Sequence, residues 1–94
     1  MNKTLSALGL AKKSNNIITG EKRILESFKK LKTKPIIFLA SYAGDNIRTK
    51  IINKCHHYQI QVIDTFTTEQ LSNAIGSSNK KVIALLDSRF YQSE

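Results

Sequence analysis

The sequence predicts an α/β fold, and three observations carry that expectation. Segments with helical spacing of apolar residues alternate with short apolar runs along nearly the whole chain. Two of those runs, Ile36 to Ala40 and Val82 to Leu86, are apolar at every position, as a strand covered on both faces must be. Turn and cap residues punctuate the alternation: Pro35 before the first run, Gly44 after it, and Thr67-Thr68-Glu69-Gln70 with Gly76 before the second.

The first helix is expected from Asn2, a good N-cap, to Lys12, with Leu5, Leu8 and Ala11 inward and Lys3, Lys12 and Lys13 outward. Ile17-Ile18 is a short strand. The second helix is expected from Glu21 to about Leu31, burying Ile24, Leu25, Phe28 and Leu31 and presenting Lys22, Arg23, Glu26, Lys29 and Lys30 to water as a basic stripe. Pro35 stops any helix, and Ile36 to Ala40 reads as a central strand. After Ser41-Tyr42-Ala43-Gly44, a third helix is expected with a cap at Asp45 or Asn46, burying Ile47, Ile51, Cys55 and Tyr58. Gln61-Val62-Ile63 is the third strand. The capping box at Thr67 opens a short helix through Leu71, Ala74 and Ile75, ended by Gly76. The polar loop Ser77-Ser78-Asn79-Lys80-Lys81 leads into the last buried strand, and Asp87 to Tyr91 closes the chain as a final helical turn.

At 94 residues the chain fits one compact domain, residues 1–94, with one hydrophobic core and no composition shift that marks a linker. Fifteen Lys and Arg against seven Asp and Glu leave a formal charge of +8, which favours a nucleic acid or an anionic surface as partner over an acidic protein. The excess is concentrated: nine of the 15 basic residues fall within residues 1–34, opposed only by Glu21 and Glu26. The longest apolar runs are far short of the ~20 residues that span a bilayer, and the N-terminus lacks the apolar core and cleavage pattern of a signal peptide. The expected location is the cytosol, in keeping with one cysteine, Cys55, that cannot form an internal disulfide.

Ile17-Ile18-Thr19-Gly20-Glu21-Lys22-Arg23-Ile24-Leu25 is the most informative stretch. It runs a strand through one glycine into the first turn of a basic helix, so backbone N–H groups and two cationic side chains converge where a phosphate would be welcome. At Gly20 a side chain would stand between those amides and a ligand. By contrast, the catalytic inventory is thin. Cys55-His56-His57 holds residue types that bind zinc or activate a thiolate, but adjacent helical positions do not face each other, and Cys55 falls on the buried stripe. Asp45, Asp64, Glu69 and Asp87 form no pair at acid/base spacing, and Gly20-Glu21-Lys22 lacks the further residues of a nucleotide-binding loop. The expectation is a protein that is not an enzyme and needs no metal or cofactor.

Taken in order, Leu8-Gly9-Leu10-Ala11-Lys12-Lys13, Ile18-Thr19-Gly20-Glu21, Ile37-Phe38-Leu39-Ala40-Ser41, Lys54-Cys55, Phe66-Thr67, Leu71-Ser72-Asn73-Ala74-Ile75-Gly76 and Lys81-Val82-Ile83-Ala84 resemble the kink-turn RNA-binding ribosomal-protein superfamily. Its members include the archaeal L-seven-Ae and eukaryotic L-thirty-e proteins, and the likeness is greatest to the bacterial YlxQ-type, ribosomal-protein-like members. The resemblance covers essentially the whole chain. It implies a three-layer α-β-α sandwich with a mixed, about four-stranded sheet and four to five helices. It also implies a monomeric, non-catalytic partner of a structured, bent RNA, most naturally ribosomal. The implied RNA-binding residues are Gly20, Glu21, Lys22, Arg23 and Glu26, with the loop Ser77, Ser78, Asn79, Lys80 and Lys81. Three departures matter: Lys22-Arg23 stands where the archetype has Asn-Glu, Glu26 where it has Lys or Arg, and the polar loop Ser77-Ser78-Asn79-Lys80-Lys81 where it is typically apolar. A carboxylate accepts from a guanine edge whereas Arg only donates, and a lysine-bearing loop meets phosphate, so backbone contact is favoured over base readout. Two rival expectations are an RNA-binding module like those of RNA methyltransferases, for which these residues supply no cofactor-binding half, and a protein–protein adapter using the same basic surface.

Overall fold

A computed structural model describes residues 2–30 and 32–91. Four α-helices, α1 (Lys3–Lys13), α2 (Glu21–Ser27), α3 (Asp45–Tyr58) and α4 (Thr68–Ala74), alternate with four strands, β1 (Ile17–Thr19), β2 (Ile36–Leu39), β3 (Val62–Ile63) and β4 (Val82–Leu85), before a 3-10 turn at Ser88–Phe90. The sheet order is β1-β4-β2-β3, with β4 antiparallel to both β1 and β2, and β3 parallel to β2. It is a mixed sheet between two helical layers, the α-β-α sandwich.

The connections explain the layers. β1 and β2 are parallel, since each is antiparallel to β4, and the steps β1 to β2 and β2 to β3 run the same way across the sheet. Right-handed crossovers in one direction put their helices on one face. Accordingly α2 packs on α3, while α1 packs on α4 and on the 3-10 turn across the other face. The inner strands β2 and β4 are buried at every residue, and the edge strands β1 and β3 are half-buried. Phe38 sits at the centre, with the rings of Phe66 and Tyr91 each 6.3 Å from its own.

Asn2 caps α1 as its side chain suggests, accepting from the N–H of Thr4 at 2.7 Å. The capping box at α4 is complete: Thr67 Oγ1 accepts from Gln70 N–H at 3.1 Å, and Gln70 Oε1 accepts from Thr67 N–H at 2.9 Å. Several expectations need correction, and β1 runs on to Thr19 while β2 and β4 stop one residue short, at Leu39 and Leu85. α1 reaches Lys13, one residue past Lys12, and the third strand omits Gln61. α2 ends at Ser27 and not near Leu31, which lies outside the described residues. Ser27 Oγ donates to the carbonyl of Ile24 at 2.6 Å, within the last turn, and Lys30 N–H bonds to Ser27 O in the turn that follows; such side-chain competition favours a helix end. α3 begins at Asp45 with no side-chain cap, its N-cap position being Gly44 at φ +96°. Its buried stripe is led by Ile51 and Cys55, with Ile47 and Tyr58 only half-buried at its ends.

A candidate phosphate-binding face at one end of the sheet

Because β1, β2 and β3 run one way and β4 the other, the carboxyl ends of the first three strands share an end of the sheet with the entry to β4. The register fixes the meeting. Thr19 pairs with Ile83, so Gly20 lies one residue beyond that pair on β1 while Lys81 lies two residues before it on β4. On the other side of β4, Leu39 pairs with Val82, and Ala40 N–H donates to the carbonyl of Lys81 at 2.8 Å. The turn at Gly20, the loop Ser77–Lys81 and the segment Ala40–Gly44 therefore stand side by side, at strand spacings of about 5 Å. Open α/β sheets take their ligands outside the carboxyl ends of the strands.

Each part of this face is held in place. Gly20 has φ +94°, a conformation that suits glycine, and a Cβ built there meets nothing within 4 Å, so the backbone is exposed to whatever docks. Lys22 and Arg23 follow it, both exposed, and neither has an ion-pair partner among the described residues. α2 has only seven residues, so its own dipole is weak and these two side chains carry most of the charge. Glu21, half-buried, is engaged within the protein: its Oε1 lies 3.7 Å from Lys50 Nζ of α3. Glu26, one turn on, is exposed along the α2–α3 junction, away from the Gly20 turn.

The second loop is pinned from beneath. Ser77 N–H donates to Ser72 O at 2.9 Å, and the hydroxyl of buried Ser72 accepts from Lys80 N–H at 2.8 Å. Gly76 and Asn79, with φ +67° and +56°, turn the chain around it. Ser77, Ser78, Asn79 and Lys81 are exposed and Lys80 is half-buried. Glu69 of α4 shares the hollow beside this loop, which makes it the less positive half of the face.

Sequence reasoning missed two contributors. Tyr42, in the segment after β2, is 89% exposed, an aromatic ring standing free beside the two basic loops. Lys50 neutralises Glu21 from a helix more than twenty residues away in sequence. The signal for Tyr42 is an aromatic two residues before Gly44 at a strand end, whereas the Lys50 pairing depends on how α2 and α3 dock.

The Cys55-His56-His57 cluster comes apart in three dimensions. Cys55 is buried, and burial pushes its thiol up to about 11, so it is an inert core residue. His56 and His57 are exposed, and the His57 ring packs edge-on to Tyr58 at 4.9 Å. Among the described residues no group of three or more His, Cys, Asp and Glu is placed to hold a metal ion, and no helix is long and apolar enough to cross a membrane.

No protein-family model matches the chain. A solved structure of a Bacillus halodurans protein, described only as having unknown function, superposes with a TM-score of 0.88 at 32% identity, covering 96% of this chain and 90% of that one. This chain and the Bacillus protein belong to one family. The chain is also 28% identical over 88 residues to the RNA-binding protein YlxQ of Enterococcus faecium, across 94% of this chain and 84% of that protein. With both relatives the match spans nearly the whole chain.

Proposed function

We propose that this protein is a non-catalytic, cytosolic RNA-binding protein that holds a bent, structured RNA, such as a ribosomal kink-turn, at the carboxyl end of its sheet. The observation that carries the reading is the Thr19–Ile83 register, which brings Gly20, Lys22 and Arg23 beside Lys80 and Lys81. Two basic loops so placed can each take one backbone segment of an RNA that doubles back, which a straight duplex cannot offer in the same way. The RNA-binding name of the Enterococcus relative supports the class of partner. Lys22, Arg23 and Lys81 donate to phosphates, and each contact releases a counterion. Tyr42 offers a face on which an unstacked base can lie. Glu21, tied to Lys50, serves as a strut between α2 and α3.

The test is a titration of a kink-turn RNA, and of the same RNA with its tandem G·A pairs replaced, at two salt concentrations. Affinity is expected to fall steeply with salt and to differ modestly between the two RNAs, since Lys22-Arg23 brings donors where a carboxylate would accept from guanine. A discrimination above ~1000-fold, about 4 kcal/mol, would show direct reading of the G·A pairs and contradict the phosphate-centred account. No binding to either RNA, with capture of an acidic protein instead, would favour an adapter.

A further inference from the structure

Behind the Gly20 turn, α2 and α3 meet along a seam whose far part opens as a cleft of about 250 Å³ lined by Leu25, Glu26, Lys29, Lys30, Lys54 and Tyr58. The near end of the seam is closed by the Glu21–Lys50 pair, directly beside the candidate face. Tyr58, in its lining, packs edge-on against Phe28, ring centroids 5.9 Å apart. Three lysines, two from the turn after α2 and one from α3, thus stand around one cleft with one carboxylate, Glu26, among them, and none of the three has an ion-pair partner among the described residues. Gathering like charges costs stability in the free protein, and an anion in the cleft relieves it. Helix-end electrostatics accounts for cations just past the end of α2, at Lys29 and Lys30, but not for Lys54, which lies inside α3 and one turn after Lys50.

We propose that this seam is a second RNA contact, a phosphate track that holds the backbone of a duplex stem leading away from the bend; it rests on the RNA reading above. The chemistry of the lining selects a backbone over bases. Lysine ammonium groups are point charges that meet phosphate without reading sequence. The aromatic ring in the cleft, Tyr58, is half-buried and already packed edge-on against Phe28 and His57, so it offers no free face for stacking. Position selects a stem over a separate ligand. α2 starts at the Gly20 turn and ends at Ser27, and Lys29 and Lys30 sit in the turn that follows it, so the seam continues along α2 from the face that holds Lys22 and Arg23.

The experiment compares the wild-type chain with the triple variant Lys29→Glu, Lys30→Glu, Lys54→Glu and, as a gentler control should the reversal disturb folding, the corresponding triple Gln variant. The probes are one kink-turn RNA with both stems long and two versions in which one stem or the other is cut to a few base pairs. On the long-stemmed RNA the variants are expected to bind at least about tenfold more weakly. Their log affinity should fall less steeply with log salt, the slope smaller by roughly 2 to 3, at about 0.9 for each phosphate no longer neutralised. Shortening the stem that lies on the seam should weaken the wild type and leave the variants unchanged, while shortening the other stem should affect all alike. Glu26→Gln should bind the long-stemmed RNA a few-fold more tightly. Equal affinity of wild type and variants for every RNA would overturn the track and leave the RNA reading standing. Displacement of the long-stemmed RNA from wild type by poly-glutamate as readily as by a straight RNA duplex of equal charge would make the seam a general polyanion surface and overturn its assignment to a stem. Absence of RNA binding by the wild type would remove both.

Discussion

On one face of the sheet α1 and α4 meet through Gly9, where a Cβ would stand 3.0 Å from the carbonyl oxygen of Ala74; on the other, α2 and α3 meet through Phe28 and Tyr58 and the Glu21–Lys50 bridge. The first joint uses the smallest residue to bring two backbones together, and its neighbours Leu5, Leu10 and Ala74 are apolar. The second brings two large rings edge to face and has lysines around its cleft. Both joints belong to the same architectural element, a helix pair on a sheet. Each joint leaves a groove: the one beside Gly9, about 580 Å³, is largely apolar with Lys12 and Lys13 in its lining, whereas the one beside Tyr58, about 250 Å³, is lined mainly by charged side chains.

Four predictions break or sharpen this contrast. The largest effect is expected from Lys22→Glu with Arg23→Glu, which removes charged donors from the binding side: affinity for a kink-turn RNA should drop by about 3 kcal/mol, roughly 100-fold. The melting temperature should move by only a few degrees, because exposed charges contribute little to stability. Unchanged affinity would place the RNA elsewhere.

On the packing side, Gly9→Leu forces side-chain atoms against a backbone carbonyl and should cost about 2–3 kcal/mol, lowering the melting temperature by roughly 10 °C or more. RNA affinity measured well below that melting point should stay within about twofold of wild type. A loss of binding with intact stability would mean that the α1–α4 face also touches RNA.

Cys55 separates the core side of α3 from its seam side through pH. The unfolded thiol titrates near 9.0 and the folded one near 11, because burial disfavours the thiolate. Below pH 9 both states keep the proton and stability is unaffected. Between pH 9 and 11 the unfolded state loses its proton first, so this group should lower stability progressively, by about 2 kcal/mol at pH 11. Denaturant curves of wild type and Cys55→Ala should therefore converge across that window, and parallel curves would contradict burial of the thiol.

The smallest effect is expected at Tyr42. Replacement by Ala should weaken binding of a kink-turn RNA by about 1 kcal/mol, roughly fivefold, with Phe close to wild type if the ring face is what matters. Equal losses for Ala and Phe would assign the contribution to the hydroxyl.

Much of this architecture was legible in the sequence, for reasons that are local. Ile36 to Leu39 and Val82 to Leu85 are apolar throughout because helices cover them on both faces, and the caps at Asn2 and Thr67 bond within their own first turns. The end of α2 was not, because every residue up to Lys30 suits a helix and a single hydroxyl at Ser27 joins in ending it. The cap of α3 was misplaced because Asp45 looks like a good N-cap, whereas Gly44 holds that position through a positive φ that leaves no mark on neighbouring side chains. In the candidate site, Gly20, Lys22 and Arg23 were readable as a strand–glycine–helix pattern. That the Ser77–Lys81 loop lies beside them follows from the β1–β4 pairing, which joins residues more than sixty positions apart. Engagement of Glu21 by Lys50 is likewise a product of docking, and it changes the role expected of that carboxylate.

The central claim is one of place: RNA sits at the carboxyl end of the sheet, on the side of α2 and not of α1. It is tested most directly by following the backbone amide resonances of the isotopically labelled chain while a kink-turn RNA is added. The account predicts that the largest shifts fall on Gly20, Lys22, Arg23, Tyr42, Lys80 and Lys81, with Leu10, Lys12 and Lys13 unmoved. Shifts centred on Lys12, Lys13 and the α1–α4 groove, with Gly20 and Lys81 silent, would contradict it.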